Sequence, residues 1–311
     1  MPTNTRALTE SDQVEAYLDR PMPIVASYGG ARSLWLSKVR LQEDWIPDGT
    51  VDDIATGCIL TVGRTESLRH AIELISENRV SRLVVMNDSN ELIGVVSKRD
   101  FARFLMSDQT SRNLEAIQVS EASGSPIQFV RRDSTIADAA RLFREDNRNC
   151  AIVLDDGSAD AIVTETDFCE YYSRHCPDYK KVGDFMTREF ITSKSSYPIL
   201  HVAHQILFQQ PSVPVIDNEL VGILTLSNLL SILSRKRNPS ESLASAKENE
   251  VGLVQAKEIM TSDPITCGED ADLVEAARTL IAEGINSLPV LDRSSLVIGL
   301  LNKHDILKAL Q

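Results

Sequence analysis

Four segments of this chain are near copies of one another: GVVSKRD at Gly94–Asp100, AIVTETD at Ala161–Asp167, GILTLSN at Gly222–Asn228 and GLLNKHD at Gly299–Asp305. They begin 67, 61 and 77 residues apart. Spacing that regular makes the fold an assembly of four like units. A unit of this size cannot bury its own apolar face and has to bury it on a neighbour.

The flanks of each segment set the shape of the unit. Upstream, apolar residues step by three, four and seven: Leu68, Ala71, Ile72, Ile75; Ile136, Ala139, Ala140, Phe143; Ile199, Val202, Ala203, Ile206; Leu273, Ala276, Ala277, Leu280. That is the core-facing stripe of an amphipathic helix, four times over. Two short apolar runs with turn residues between them follow, as in Leu83–Met86 and Leu92–Val96 around Asn87–Glu91, and predict a hairpin. Past each acid or amide, a second helix carries Phe101, Phe104, Leu105; Phe168, Tyr171, Tyr172; Leu229, Ile232, Leu233; Ile306, Ala309, Leu310. Each unit reads strand, helix, strand, strand, helix, an α/β (α+β) fold.

Three units open on similar lead-ins, VDDIAT at Val51–Thr56, VGDFMT at Val182–Thr187 and AKEIMT at Ala256–Thr261, whereas VSEASG at Val119–Gly124 has lost most of the pattern. With INSLPVLD at Ile285–Asp292, these features resemble the CBS domain, over about 260 of the 311 residues. The resemblance implies four tandem β-α-β-β-α CBS repeats paired into two Bateman modules that stack as a flat disc. The expected divisions are an N-terminal extension at 1–50, repeats at 51–107, 115–175 and 182–235, a polar linker at 236–255 and a fourth repeat at 256–311. In the extension, Thr9–Asp12 reads as a helix start. Ser33–Trp45, with Trp35 and Trp45, is amphipathic enough to pack on the modules or on a partner.

Composition narrows the function classes. The chain is 42 % hydrophobic and 25 % charged, as a globular protein is, and its formal net charge of −13 argues against nucleic acid as the main partner. No apolar run approaches the roughly 18 residues of a membrane span, and Met1–Gln13 lacks the layout of a signal peptide, so the expected location is the cytoplasm. Cys58, Cys150, Cys169, Cys176 and Cys267 are odd in number and show no paired short spacing, which predicts reduced thiols. His201 and His204 share a helix face without a third ligand and do not predict a metal site.

The candidate chemistry lies at the four segments. Ser97 with Asp100 and Thr164 with Asp167 have the form of a capping box, which satisfies the free amides of a helix start. The same atoms suit a ligand. A helix N-terminus attracts phosphate, and a carboxylate one turn in accepts ribose hydroxyls. The residues alone leave cap and ligand site both open. The resemblance implies that hydroxyl and acid bind ribose and phosphate of adenine nucleosides, with the base in a cleft between paired repeats.

Transferred repeat by repeat, the first module carries both elements. The third repeat has Thr225 with Asn228, and the fourth has Asn302 with Asp305. A bond to a charged group contributes about 1.5–3 kcal/mol against roughly 1 for a neutral pair, so Asn228 predicts a weaker site. Candidate phosphate partners are Arg82, Lys98, Arg99, Arg131 and Arg132. Candidate base walls lie on the first strands at Leu60 and Thr61, Phe129, Ile191 and Thr192, and Ile265 and Thr266.

No phosphate-loop, nucleophile-elbow or His-Glu-x-x-His motif is present, and an enzyme is not expected. The expectation is a regulatory sensor with no required cofactor, binding AMP, ADP, ATP or S-adenosylmethionine, with magnesium left open. The alternative is an interaction subunit, because the four-repeat layout also resembles the gamma subunits of AMP-activated kinases. A partner protein or a homodimer would then cover part of the surface.

Overall fold

The computed structural model describes residues 47–311 except 109, 111, 123, 125, 156–157, 177–178 and 237–253. The expectations for residues 1–46 and for most of the polar linker lie outside the described residues.

The first repeat runs β1 (Thr61–Gly63), α1 (Leu68–Glu77), β2 (Arg82–Met86), β3 (Leu92–Ser97) and α2 (Lys98–Ser107). The second runs β4 (Phe129–Arg131), α3 (Ile136–Glu145), β5 (Cys150–Asp155), β6 (Ser158–Thr164) and α4 (Glu165–His175). In the third, a short α5 (Val182–Phe185) precedes α6 (Ile199–Phe208), β7 (Ser212–Ile216), β8 (Leu220–Thr225) and α7 (Leu226–Lys236). The fourth comprises α8 (Ala256–Ile259), β9 (Thr261–Ser262), β10 (Cys267–Gly268), α9 (Leu273–Ala282), β11 (Ser287–Leu291), β12 (Val297–Asn302) and α10 (Lys303–Ile306), which tightens into a 3-10 turn at Leu307–Leu310.

Repeats one, two and four each form a three-stranded sheet whose first strand is parallel and whose third is antiparallel to the middle one. The hairpin register slips at the same place in every repeat, between Val85 and Met86, Val153 and Leu154, Val215 and Ile216, and Val290 and Leu291. The third repeat departs from expectation. Its first strand shrinks to a single parallel bridge, Ser193 with Val215, and β9 of the fourth repeat takes the far edge of β8 instead.

That exchange is general. Each lead-in pairs with the partner repeat, through Thr56 with Ile162, Thr187 with Leu300, Ser67 with Gln118 and Pro198 with Gln255. Modules one–two and three–four are therefore tied by main-chain bonds, such as Val182 N–H to Ala271 C=O at 3.0 Å and Ile199 N–H to Val254 C=O at 2.7 Å. Close approach explains two glycines. A Cβ on Gly222 would stand 2.5 Å from Met260 Sδ, and one on Gly299 would stand 2.6 Å from Met186 Sδ. In the second repeat Ala161 takes the glycine position, and the facing lead-in residue is the smaller Ala55.

Every helix stripe read from the sequence faces a core, and buried Leu, Ile and Phe side chains contribute about 1.5–3 kcal/mol each. One core joins repeats two and four, from Ile136 and Phe168 to Leu273 and Leu310. Another joins repeats one and three, from Leu68 and Phe101 to Ile199 and Leu229. A small cluster of Val84, Val95 and Ile152 seals the sheets of the first module. Helix α2 packs on α7, and α4 on α9 and α10. The repeats thus close a ring in the order one, two, four, three.

Candidate functional site

All four segments end a strand and start a helix, and all four close the same cap. Asp100 Oδ2 accepts Ser97 N–H at 2.8 Å and Ser97 Oγ at 2.6 Å. Asp167 Oδ2 accepts Thr164 N–H and Oγ1, both at 2.7 Å. Asn228 Oδ1 accepts Thr225 N–H at 2.9 Å and Oγ1 at 2.7 Å, and Asp305 Oδ2 accepts Asn302 N–H at 2.9 Å.

The second oxygen of each acid distinguishes the repeats. A lead-in threonine from the partner repeat reaches two of them, Thr56 Oγ1 donating to Asp167 Oδ1 at 3.1 Å and Thr187 Oγ1 to Asp305 Oδ1 at 3.2 Å, while in the third repeat the Asn228 amide Nδ2 lies 3.5 Å from Thr261 Oγ1. Lys308 Nζ also bonds Asp305 Oδ1, at 2.6 Å. In the first repeat the corresponding position is Gly124, whose added Cβ would meet the Val95 carbonyl at 2.3 Å. Among the described residues, Asp100 Oδ1 has no donor.

At the centre of the ring, a cavity of about 830 Å³ is bordered by all four segments. Each segment lines it with the two residues between its cap and its acid or amide: Lys98 and Arg99, Glu165 and Thr166, Leu226 and Ser227, Lys303 and His304. These are first-turn positions, so the N-termini of α2, α4 and α7, helices of 10, 11 and 11 residues, converge on one space. Their dipoles favour an anion there.

The side chains reinforce this. Lys303 is only 6 % exposed, and its ammonium donates to Thr166 Oγ1 at 3.2 Å. Burial pulls its pKa down, as it does for Lys98, whose Nζ lies 3.4 Å from Ser227 Oγ. Arg99 is likewise lowered, by burial first and then by Arg103, and donates to the Leu207 carbonyl at 3.2 Å. Arg82 donates to the Asn149 carbonyl at 2.6 Å. His304 is raised by its 2.8 Å bond to Glu165. Burial and like-charge crowding both lower a cation's pKa, and an added anion offsets them by favouring the charged form.

From the sequence-derived set, the cavity gathers Arg82, Ser97, Lys98, Arg99, Thr164, Thr225, Asn228, Asn302 and Asp305, with Ile265. It does not gather Arg131 or Arg132. Arg131 is 78 % exposed on Asp133, and Arg132 pairs with Asp52. Thr61, Phe129, Thr192 and Thr266 also lie off its walls, as do Asp100 and Asp167, the third residues of their helices. Lys303, His304, Glu165 and Thr166 stand inside the repeated segments, yet their convergence appears only once the ring closes. Asp263 and Pro264, just after the fourth lead-in, complete an arm of the cavity between repeats three and four.

Among the described residues no cluster of three or more His, Cys, Asp or Glu is placed to hold a metal, and no helix is long and apolar enough to cross a membrane. His201 and His204 lie instead against the rings of Tyr197 and Phe208. The five cysteines are unpaired, and burial pushes Cys169 up to about 12.

Known proteins give the same picture. Protein MJ1225 of Methanocaldococcus jannaschii is 26 % identical over 267 residues, 80 % of this chain and 94 % of its own length. Its crystal structure superposes with a TM-score of 0.75 at 24 % identity, covering 85 % of this chain and all of that one. Homoserine O-acetyltransferase of Methanohalobium evestigatum is 25 % identical over 156 residues, 49 % of this chain but only 28 % of the enzyme. The CBS domain matches at residues 51–107, 119–174, 182–235 and 256–311, more than half of the chain. With four such repeats closed into a ring by exchanged lead-ins, this chain belongs to the CBS domain family.

Proposed function

We propose that the chain is a non-catalytic regulatory sensor whose central cavity takes the phosphate end of an adenine nucleotide. The observation that carries this reading is Lys303, a buried ammonium with a single hydroxyl partner among the described residues, beside three converging helix N-termini. On a chain of net charge −13, this is a local concentration of positive potential, and salt screens the distant acids beyond about 8 Å. S-adenosylmethionine, a sulfonium cation without phosphate, suits such a cavity less well than AMP, ADP or ATP.

Occupancy is coupled to the seam between modules. Lys303 reaches Thr166 and His304 reaches Glu165 across the repeat two–four contact, and Lys98 reaches Ser227 across the one–three contact. A phosphate that draws these side chains inward changes both seams. It shifts the module arrangement only by its differential affinity for the two states. Calorimetric titration of the ligand-stripped protein with AMP, ADP, ATP and S-adenosylmethionine, with and without magnesium, tests the reading. Saturable binding of a phosphorylated ligand is expected. Binding of S-adenosylmethionine alone, or of nothing, rejects it.

A second reading, a subunit that docks on a protein partner, has one observation in its favour. The solvent face of α6 presents Leu200, His201, His204 and Phe208, beside exposed Tyr197. The corresponding helices instead carry ion pairs, Arg69–Glu73, Arg141–Asp138 and Arg278–Glu275. Co-purification of a stoichiometric protein, lost on Leu200→Glu, would favour this reading.

A further inference from the structure

The cavity arm between repeats three and four is walled by Ile223, Pro264, Ile265 and Ile285. Ile223 is buried while Ile265 is 41 % exposed, so part of this apolar wall faces the open arm. An arm of this kind takes a flat apolar group such as a nucleobase, with the polar end of the ligand pointing to the central cations. A ribose between the two would need an acceptor for its hydroxyls, and the helix-start residue of this repeat cannot supply one. Asn228 spends its carbonyl oxygen on Thr225 N–H and Oγ1, and its amide faces Thr261.

Two residues beyond Thr261 the chain does something unusual. Asp263 adopts φ +49°, in the left-handed region, directly before Pro264. A residue preceding proline ordinarily takes an extended conformation, and the left-handed one is disfavoured for any side chain except glycine, with Asp and Asn the most tolerant. The bend leaves Asp263 lining the arm, and among the described residues its carboxylate has neither a hydrogen-bond donor nor an ion-pair partner. Strain of this kind persists where the surrounding structure imposes it, and it collects at ligand clamps.

We infer that Asp263 is the ribose-reading carboxylate of this arm, replacing the acid that the third repeat lacks at Asn228, and that the arm takes a nucleoside 5′-phosphate. The inference rests on the phosphate-binding reading of the cavity. In this arrangement the base lies against Pro264 and Ile265, the 2′- and 3′-hydroxyls donate to Asp263, and the phosphate reaches the centre of the ring. The specificity element has moved from the helix start to the turn that follows the exchanged lead-in.

Calorimetric titration with AMP and with 2′,3′-dideoxyadenosine 5′-monophosphate, on the full chain and on Asp263→Asn, separates the possibilities. Asn tolerates the same backbone conformation, so the variant keeps its fold, which circular dichroism checks. The expected result is that Asp263→Asn weakens AMP tenfold or more and leaves the dideoxy nucleotide unchanged. Asn228→Asp is the companion variant, and a gain in AMP affinity on the Asp263→Asn background also supports the assignment. Equal AMP affinity in wild type and Asp263→Asn overturns it, as does an equal loss for both nucleotides. If the wild-type chain binds neither nucleotide, the phosphate reading itself fails, and the inference falls with it.

Discussion

The Thr56 hydroxyl donates to Asp167 Oδ1 at 3.1 Å, across 111 positions of chain, and so ties the lead-in of the first repeat to the helix start of the second. Burial raises the Asp167 pKa, and the bonds from Thr164 and Thr56 offset that only in part. In the third repeat Asn228 closes the same cap without charge. A carboxyl whose folded pKa is raised costs the fold nothing below its ordinary value of 3.8, and costs it fully above the raised value. Asp167→Asn is therefore expected to be at least as stable as wild type at pH 7, with its advantage vanishing as pH falls toward 3.8. Urea midpoints at pH 7 and pH 4 check this, and a clear loss of stability at pH 7 would contradict it.

Gly222 and Met260 form a second contact between paired repeats. A side chain at 222 would drive into Met260 Sδ at 2.5 Å and the Thr261 carbonyl at 3.0 Å. Gly222→Val is expected to destabilise by about 1–3 kcal/mol, the usual cost of overpacking. Met260→Ala removes the obstruction, as Ala55 does opposite Ala161, so the double variant should recover part of the loss. Additive destabilisation in urea unfolding would mean that the two residues do not interact.

The helix stripes were legible because burial repeats with the helical period. Phe143 and Phe168 stood in predicted core positions and meet edge to face with ring centroids 4.9 Å apart. The exchange of lead-ins was not legible, because the pairing of Thr187 with Leu300 depends on how two repeats face each other, which no local pattern encodes. The cations divide in the same way. Arg131 has its partner Asp133 two residues on, whereas the partner of Arg132, Asp52, lies 80 positions away in the first lead-in. Asp263 carried no periodic signal, and only its backbone angle and its place in the cavity single it out.

His304 and Glu165 join repeats four and two across the seam at 2.8 Å. The bond raises His304 above its ordinary 6.5, with Asp305 adding to the effect and burial and Lys308 opposing it. A histidine raised in the folded state contributes stability that is complete below 6.5 and is lost as pH climbs through the raised value. The wild-type melting temperature should therefore fall across that window more steeply than that of His304→Gln, and Glu165→Gln should flatten the profile equally. Parallel profiles for all three proteins would show that the pair does not contribute.

Lys303 makes the sharpest separation between stability and binding. Its ammonium is buried with Thr166 Oγ1 as its hydrogen-bond partner, and burial holds its pKa below the ordinary value, so the charged form costs the ligand-free fold. Methionine has similar length and no charge. Lys303→Met should leave the ligand-free chain as stable as wild type or more so, because burial of the charge outweighs the attraction of Glu165, Asp167 and Glu170. AMP affinity should fall tenfold or more, which is about 1.4 kcal/mol of lost binding. Lys257→Met, at an exposed position outside the cavity, removes the same charge and should leave AMP affinity unchanged. Equal losses in the two variants would trace the effect to net charge, and a destabilised Lys303→Met would make the ammonium a structural group, not a ligand-binding one.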